Sequence, residues 1–78
     1  MSSFSRLQEV MAATLRVPAA RITPTLRNSD LSAWDSLGQV NLMMALEETF
    51  GFYIEVEEFA GLTSVPAILE FMRARGIE

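Results

Sequence analysis

The chain has 78 residues, half of them hydrophobic and 21% charged, which supplies apolar surface for one small core and too little length for two. It contains no cysteine and no histidine, so disulfides, thiolate nucleophiles, imidazole acid–base chemistry and the usual zinc ligands are excluded. Ten acids against six arginines, with no lysine, give a formal net charge of −4, which disfavours nucleic-acid phosphates and anionic lipid and favours a basic protein partner.

In chain order, Phe4, Leu7, Val10, Met11 and Leu15 recur at intervals of three and four. That spacing predicts an amphipathic helix from Ser3 to Arg16, capped by Ser2 or Ser3 and stopped by Pro18. The opening MSSFSRLQEVMAATL has no continuous apolar segment, and no apolar run is long enough to span a bilayer, so neither a secretory signal nor membrane insertion is expected and a cytoplasmic location is. From Val17 to Asp35 run about nineteen residues without helical periodicity. Connections of this length are uncommon in small domains. Ile22, Leu26, Leu31 and Trp34 stud this one, which predicts an ordered loop whose apolar side chains plug gaps between helices.

Asp35 is the expected cap of a second helix, Ser36 to about Phe50, ended by Gly51. Tyr53 to Val56 is too short for a strand with no partner. The cluster Glu57 to Gly61 predicts one or two helical turns with a poor cap, because Val56 stands where an Asp or Ser is wanted. A last helix starts at Thr63 or Ser64, accepts Pro66 in its first turn, buries Val65, Ile68, Leu69 and Met72, and ends near Gly76, with Arg73 and Arg75 at its negative end. The expected fold is all-α: three main helices and one short one, packed as a small bundle with a long ordered loop between the first and second helices.

The second helix has two apolar stripes. Leu42, Met43, Leu46 and Phe50 share one side, Leu37, Val40 and Met44 another, with Ser36, Glu47, Asn41 and Glu48 at their borders. Two arrangements satisfy this pattern. Either the helix is central and covered on both sides, or the Leu37 stripe stays at the surface as a methionine-containing docking strip edged by acids. Ser36 also has two readings. It is part of a helix cap, or it is a hydroxyl at a site where free N–H groups and the helix dipole stabilise a phosphate ester. No histidine, lysine or second acid in sequence range forms an activating pair with it, so a nucleophilic hydrolase is disfavoured and modification by another enzyme preferred.

Asp35-Ser36-Leu37, followed by VNLMMALEETFGFYI and EVEEFAGLTSVPAILEFM, resembles the acyl carrier proteins, most strongly from Asp30 to Met72. The resemblance implies a single carrier domain over residues 1–78 and a 4′-phosphopantetheine arm loaded on Ser36 from coenzyme A by a phosphopantetheinyl transferase. Its terminal thiol would supply the sulfur that the chain lacks. Asp35, Leu37, Val40, Met44, Glu47 and Glu48 would then contact acyl-loading and acyl-using partners: a ligase, synthase or acyltransferase of fatty acid, polyketide or related biosynthesis. The chain would itself be a monomeric, non-catalytic carrier. Leu46, Phe50, Ile54, Phe59, Leu62, Ile68 and Phe71 are candidates to line an acyl pocket.

Gly38 and Asn41 replace acids usual in the carriers of primary fatty acid synthesis, and Gly38 is expected to weaken the first turn by about 1 kcal/mol relative to Ala. Trp34 replaces a small residue and resembles stand-alone carriers of specialised pathways. The run AWDSL lacks the glycines and histidine of peptidyl carriers, which favours an acyl over an aminoacyl cargo. The alternatives are an unmodified carrier-like interaction module acting as a scaffold or regulatory subunit, and an aminoacyl or peptidyl carrier.

Overall fold

The computed structural model describes residues 2–77. Helix α1 covers Ser3–Leu15, and Ser2 Oγ caps it by accepting the Ser5 N–H at 3.1 Å. It ends one residue before the expected end and without help from Pro18. Arg16 turns left-handed (φ 59°), and the Val17 N–H closes back onto the Ala12 carbonyl at 3.1 Å, a Schellman-type end built without glycine.

The connector is ordered, as its apolar studs predict: Ile22, Leu26, Leu31 and Trp34 are all buried. It also contains two single turns of 3-10 helix, Ala19–Arg21 and Asn28–Asp30, which no periodicity marks. Hydrogen bonds to its backbone tie it down at both ends. Gln8 Nε2 donates to the carbonyls of Ala19 and Ile22 at 2.9 and 3.0 Å. Further on, Asn28 N–H donates to Thr63 O at 2.9 Å and Val65 N–H to Leu26 O at 2.8 Å. These bonds satisfy carbonyls and amides that would otherwise be stranded beside a core.

Helix α2, Ser36–Phe50, is capped by Asp35, whose Oδ1 accepts the Gly38 N–H at 2.8 Å, and ends at left-handed Gly51. Helix α3, Val56–Phe59, is better capped than expected. Glu55 occupies the cap position and its N–H is taken by the Glu58 carboxylate at 3.0 Å. Val56 is therefore the first helical residue, where a polar side chain is not needed. Helix α4, Val65–Ala74, is capped by Ser64 Oγ on the Ala67 N–H at 3.1 Å and takes Pro66 in its first turn. It stops short of Gly76, and Leu69, expected in the core, is half-buried at the surface beside Phe4. Among the described residues no strand forms, only an isolated bridge between Arg27 and Ser64.

A single core joins Leu7, Met11 and Leu15 of α1, Leu42, Met43 and Leu46 of α2, and Val65, Ile68 and Met72 of α4 to the buried connector residues. At one end Phe52 contacts Phe50 and Phe71 at centroid distances of 6.0 and 5.5 Å. Arg6 lies over the ring of Phe50 at 4.9 Å and Arg75 over that of Phe71 at 4.3 Å. Arg75 also donates to Tyr53 O at 2.8 Å and meets Glu58 at 3.4 Å, joining the end of α4 to the α2–α3 link.

Gly38 departs from its expectation. A Cβ there would lie 2.5 Å from the Ala33 carbonyl oxygen and 3.1 Å from Leu15 Cδ2, so the missing side chain is what lets α2 start against the connector and α1. Backbone has little room to give. Gly38→Ala is expected to lower stability by about 1–3 kcal/mol through overpacking, against a propensity gain of about 1 kcal/mol. Urea unfolding measures the balance, and a net gain would mean that the start of α2 shifts freely.

Candidate cofactor-attachment site

Ser36 is the first residue of α2 and is exposed. Because Asp35 holds the cap, the serine hydroxyl is not needed for it, and among the described residues no side chain bonds to that hydroxyl. The N–H groups of Ser36 and Leu37 belong to the helix's first turn, which no intrahelical carbonyl reaches. An anion at this point meets unpaired donors and the positive end of the dipole.

Beside Ser36 lies an open groove of about 550 Å³ between the start of α2 and α3. Val40, Val56, Phe59 and Ala60 give it apolar walls, while Asn28, Asp35, Gln39 and Thr63 supply polar groups. The exposed hydroxyl, free first-turn donors and mixed groove fit a phosphate ester carrying a long, partly apolar arm.

The two stripes of α2 separate cleanly. Leu42, Met43 and Leu46 are in the core and Phe50 is half-buried, whereas Leu37, Val40 and Met44 are 69%, 43% and 59% exposed. The second stripe is therefore surface, and exposed Val56 continues it across the groove. Asp35 and Glu48 are exposed with it. Glu47 also serves the fold, because its Oε2 accepts the Ile54 N–H at 2.8 Å and so pins the link between α2 and α3.

The acyl-pocket candidates are not brought together around one cavity. Leu46, Ile54, Leu62 and Ile68 are buried against the core, Phe50 and Phe71 belong to the aromatic cluster, and of the set Phe59 alone lines the Ser36 groove. Leu62 and Phe71 border a separate open depression beside α4.

Gln39, which no sequence signal singles out, is the most heavily bonded side chain of the site. Its Oε1 accepts Trp34 Nε1–H at 2.6 Å, and its Nε2 donates to Phe59 O at 2.8 Å and Leu62 O at 2.9 Å. A glutamine between two apolar stripes carries no local mark of partners twenty or more residues on. The indole of Trp34, which must find an acceptor once buried, is the one available hint.

The profile of a family described as a phosphopantetheine attachment site matches residues 5–72. An acyl carrier protein of Helicobacter pylori (strain G27) is 40% identical over 73 residues, covering 92% of each chain. The chain belongs to the acyl carrier protein family. A further acyl carrier protein, from Saccharopolyspora erythraea, is 33% identical over 67 residues, 86% of this chain and 70% of that one. As an acyl carrier protein the chain has 4′-phosphopantetheine as its covalent cofactor, and the family consists of carriers and not catalysts. When bound, the arm supplies the thiol on which acyl groups ride as thioesters. No helix among the described residues is long and apolar enough to cross a membrane.

Proposed function

We propose that this acyl carrier protein is loaded at Ser36 and presents its cargo to partner enzymes along the exposed face of α2, as one carrier domain over residues 1–78. The observation that carries the reading is an exposed hydroxyl, not engaged in the cap, at the start of a helix and on the lining of a groove with apolar walls. In loading, Ser36 Oγ forms a bond to the phosphorus of coenzyme A that bears the pantetheine, the pyrophosphate P–O bond breaks, the adenosine bisphosphate half leaves, and the transferase takes the hydroxyl proton. Asp35 and Glu48 set a negative edge for a basic partner surface, while Leu37, Val40 and Met44 supply the apolar contact. With Gly38 and Asn41 uncharged, apolar contact carries more of the recognition here than charge.

The partners under this reading are a phosphopantetheinyl transferase and ligases, synthases or acyltransferases of fatty acid, polyketide or related biosynthesis. The carrier works as a cytoplasmic monomer with an acyl rather than an aminoacyl cargo, without nucleic acid and without entering a membrane. Intact mass after incubation with coenzyme A and a broad-specificity transferase tests it, with peptide fragmentation to place the modification. One added phosphopantetheine on Ser36 is the expected result. Modification elsewhere would move the attachment to another hydroxyl, and none with a transferase active on a control carrier would leave an unmodified interaction module.

Met44→Arg removes apolar contact and puts a cation where a basic partner docks. Stability is expected to stay within about 0.5 kcal/mol, as for other exposed positions, while transferase kcat/KM falls about tenfold, the equivalent of about 1.4 kcal/mol. A timed mass-spectrometric assay reads the rate; an unchanged rate would remove Met44 from the interface.

A further inference from the structure

The hydrogen bonds of Gln39 join three separate stretches: Trp34 in the connector, α2 itself, and the segment from Phe59 to Leu62 that leads from α3 to α4. An indole only donates and a carbonyl only accepts, so one orientation of the amide satisfies all three partners. Trp34 is buried, and the core thus holds the group that sets this orientation. Gln39 sits one turn beyond Ser36 and lines the same groove as Phe59.

That placement governs where a chain hung near Ser36 can go. To leave the groove for the buried Leu46, Leu62 and Ile68, it must part α2 from the 59–62 segment, and the Gln39 bonds cross that seam. An alkyl chain brings no acceptor to replace the two carbonyls, so parting the seam takes from the Gln39 amide both partners of its Nε2 and from Leu62 O the donor that it accepts. The walls formed by Val40 and Val56 offer apolar contact with nothing to break.

We infer that Gln39, oriented by Trp34, is a specificity-determining residue: it fastens the α3–α4 link to α2 and confines the acyl cargo to the surface groove, suiting the carrier to short acyl chains presented openly. This rests on Ser36 being the attachment point. The cargo stays in contact with solvent and partners and does not withdraw into the bundle.

The test compares holo and octanoyl forms of isotopically labelled wild type, Gln39→Met and Gln39→Ala. Each is loaded from coenzyme A or octanoyl-coenzyme A, and loading is verified by mass. In the wild type, octanoylation is expected to shift resonances of Val40, Val56 and Phe59 and to leave those of Leu46, Leu62 and Ile68 in place. In Gln39→Met, close in length but without the bonds, the Trp34 indole N–H resonance moves and octanoyl-dependent shifts spread to the three core residues. Hydroxylamine cleavage of the octanoyl thioester slows in the variant relative to the wild type.

Core shifts in the wild type would overturn the inference whatever the variants do, including the case in which Gln39→Ala fails to fold. So would a folded, loaded Gln39→Met whose shifts remain in the groove. Failure to gain octanoyl mass at Ser36 would instead sink the attachment reading, and the inference with it.

Discussion

Ser36→Ala is expected to gain no phosphopantetheine mass under conditions that convert the wild type fully, while losing less than about 1 kcal/mol of stability. The two halves of this result come from one fact. The bond that starts α2 runs from Gly38 N–H to Asp35 Oδ1, so removing the Ser36 hydroxyl leaves the cap in place and leaves no buried group unpaired. The hydroxyl lost is the one that lines the groove beside the first-turn N–H groups. Thermal or urea unfolding beside intact mass separates the outcomes. Undiminished mass gain would move the attachment to another hydroxyl, such as Ser32 or Thr63, and a stability loss well above that of a cap would make Ser36 structural.

The helices are legible in the sequence because each announces itself locally: three-and-four spacing in α1, Asp35 and Gly51 bracketing α2, Ser64 and Pro66 opening α4. The docking stripe is half legible. Periodicity finds two apolar faces on α2 but not which is covered, since that depends on where α1 and α4 come to lie. What escapes are features whose partners are distant or reciprocal. Gly38 looks like a flaw in helix propensity until Ala33 O and Leu15 are seen against it. Glu55 is a weak cap by residue type, and the bond from its N–H to Glu58 makes up for it. Apolar character alone does not separate pocket-lining from core residues among the acyl-pocket candidates, and close packing uses most of them in the core.

The largest loss of stability is expected at Trp34. Truncation of a buried aromatic to alanine costs about 3–5 kcal/mol, against roughly 4–12 kcal/mol of total stability for a chain of this length. Two effects add in Trp34→Ala. The ring is 2% exposed, so its removal opens a void at the junction of connector and α2, and Gln39 Oε1 loses the N–H that it accepts at 2.6 Å. Trp34→Phe keeps a six-membered ring but removes the donor and the rest of the indole; the acceptor left without its N–H is expected to cost about 1–3 kcal/mol, with a smaller void than in Trp34→Ala. Combining it with Gln39→Met removes both partners, so the double variant should lose less than the sum of the two single losses, by about 0.5–3 kcal/mol. Trp34 is the one tryptophan, so unfolding in urea is followed by far-ultraviolet circular dichroism in every variant. A Trp34→Ala protein that unfolds within about 1 kcal/mol of the wild type, far below the cost of an aromatic cavity, would mean that the connector closes over the gap and that the indole does not organise the start of α2. Additive losses in the double variant would mean that the ring packs without directing Gln39, and the amide would then take its orientation from the Phe59 and Leu62 carbonyls alone.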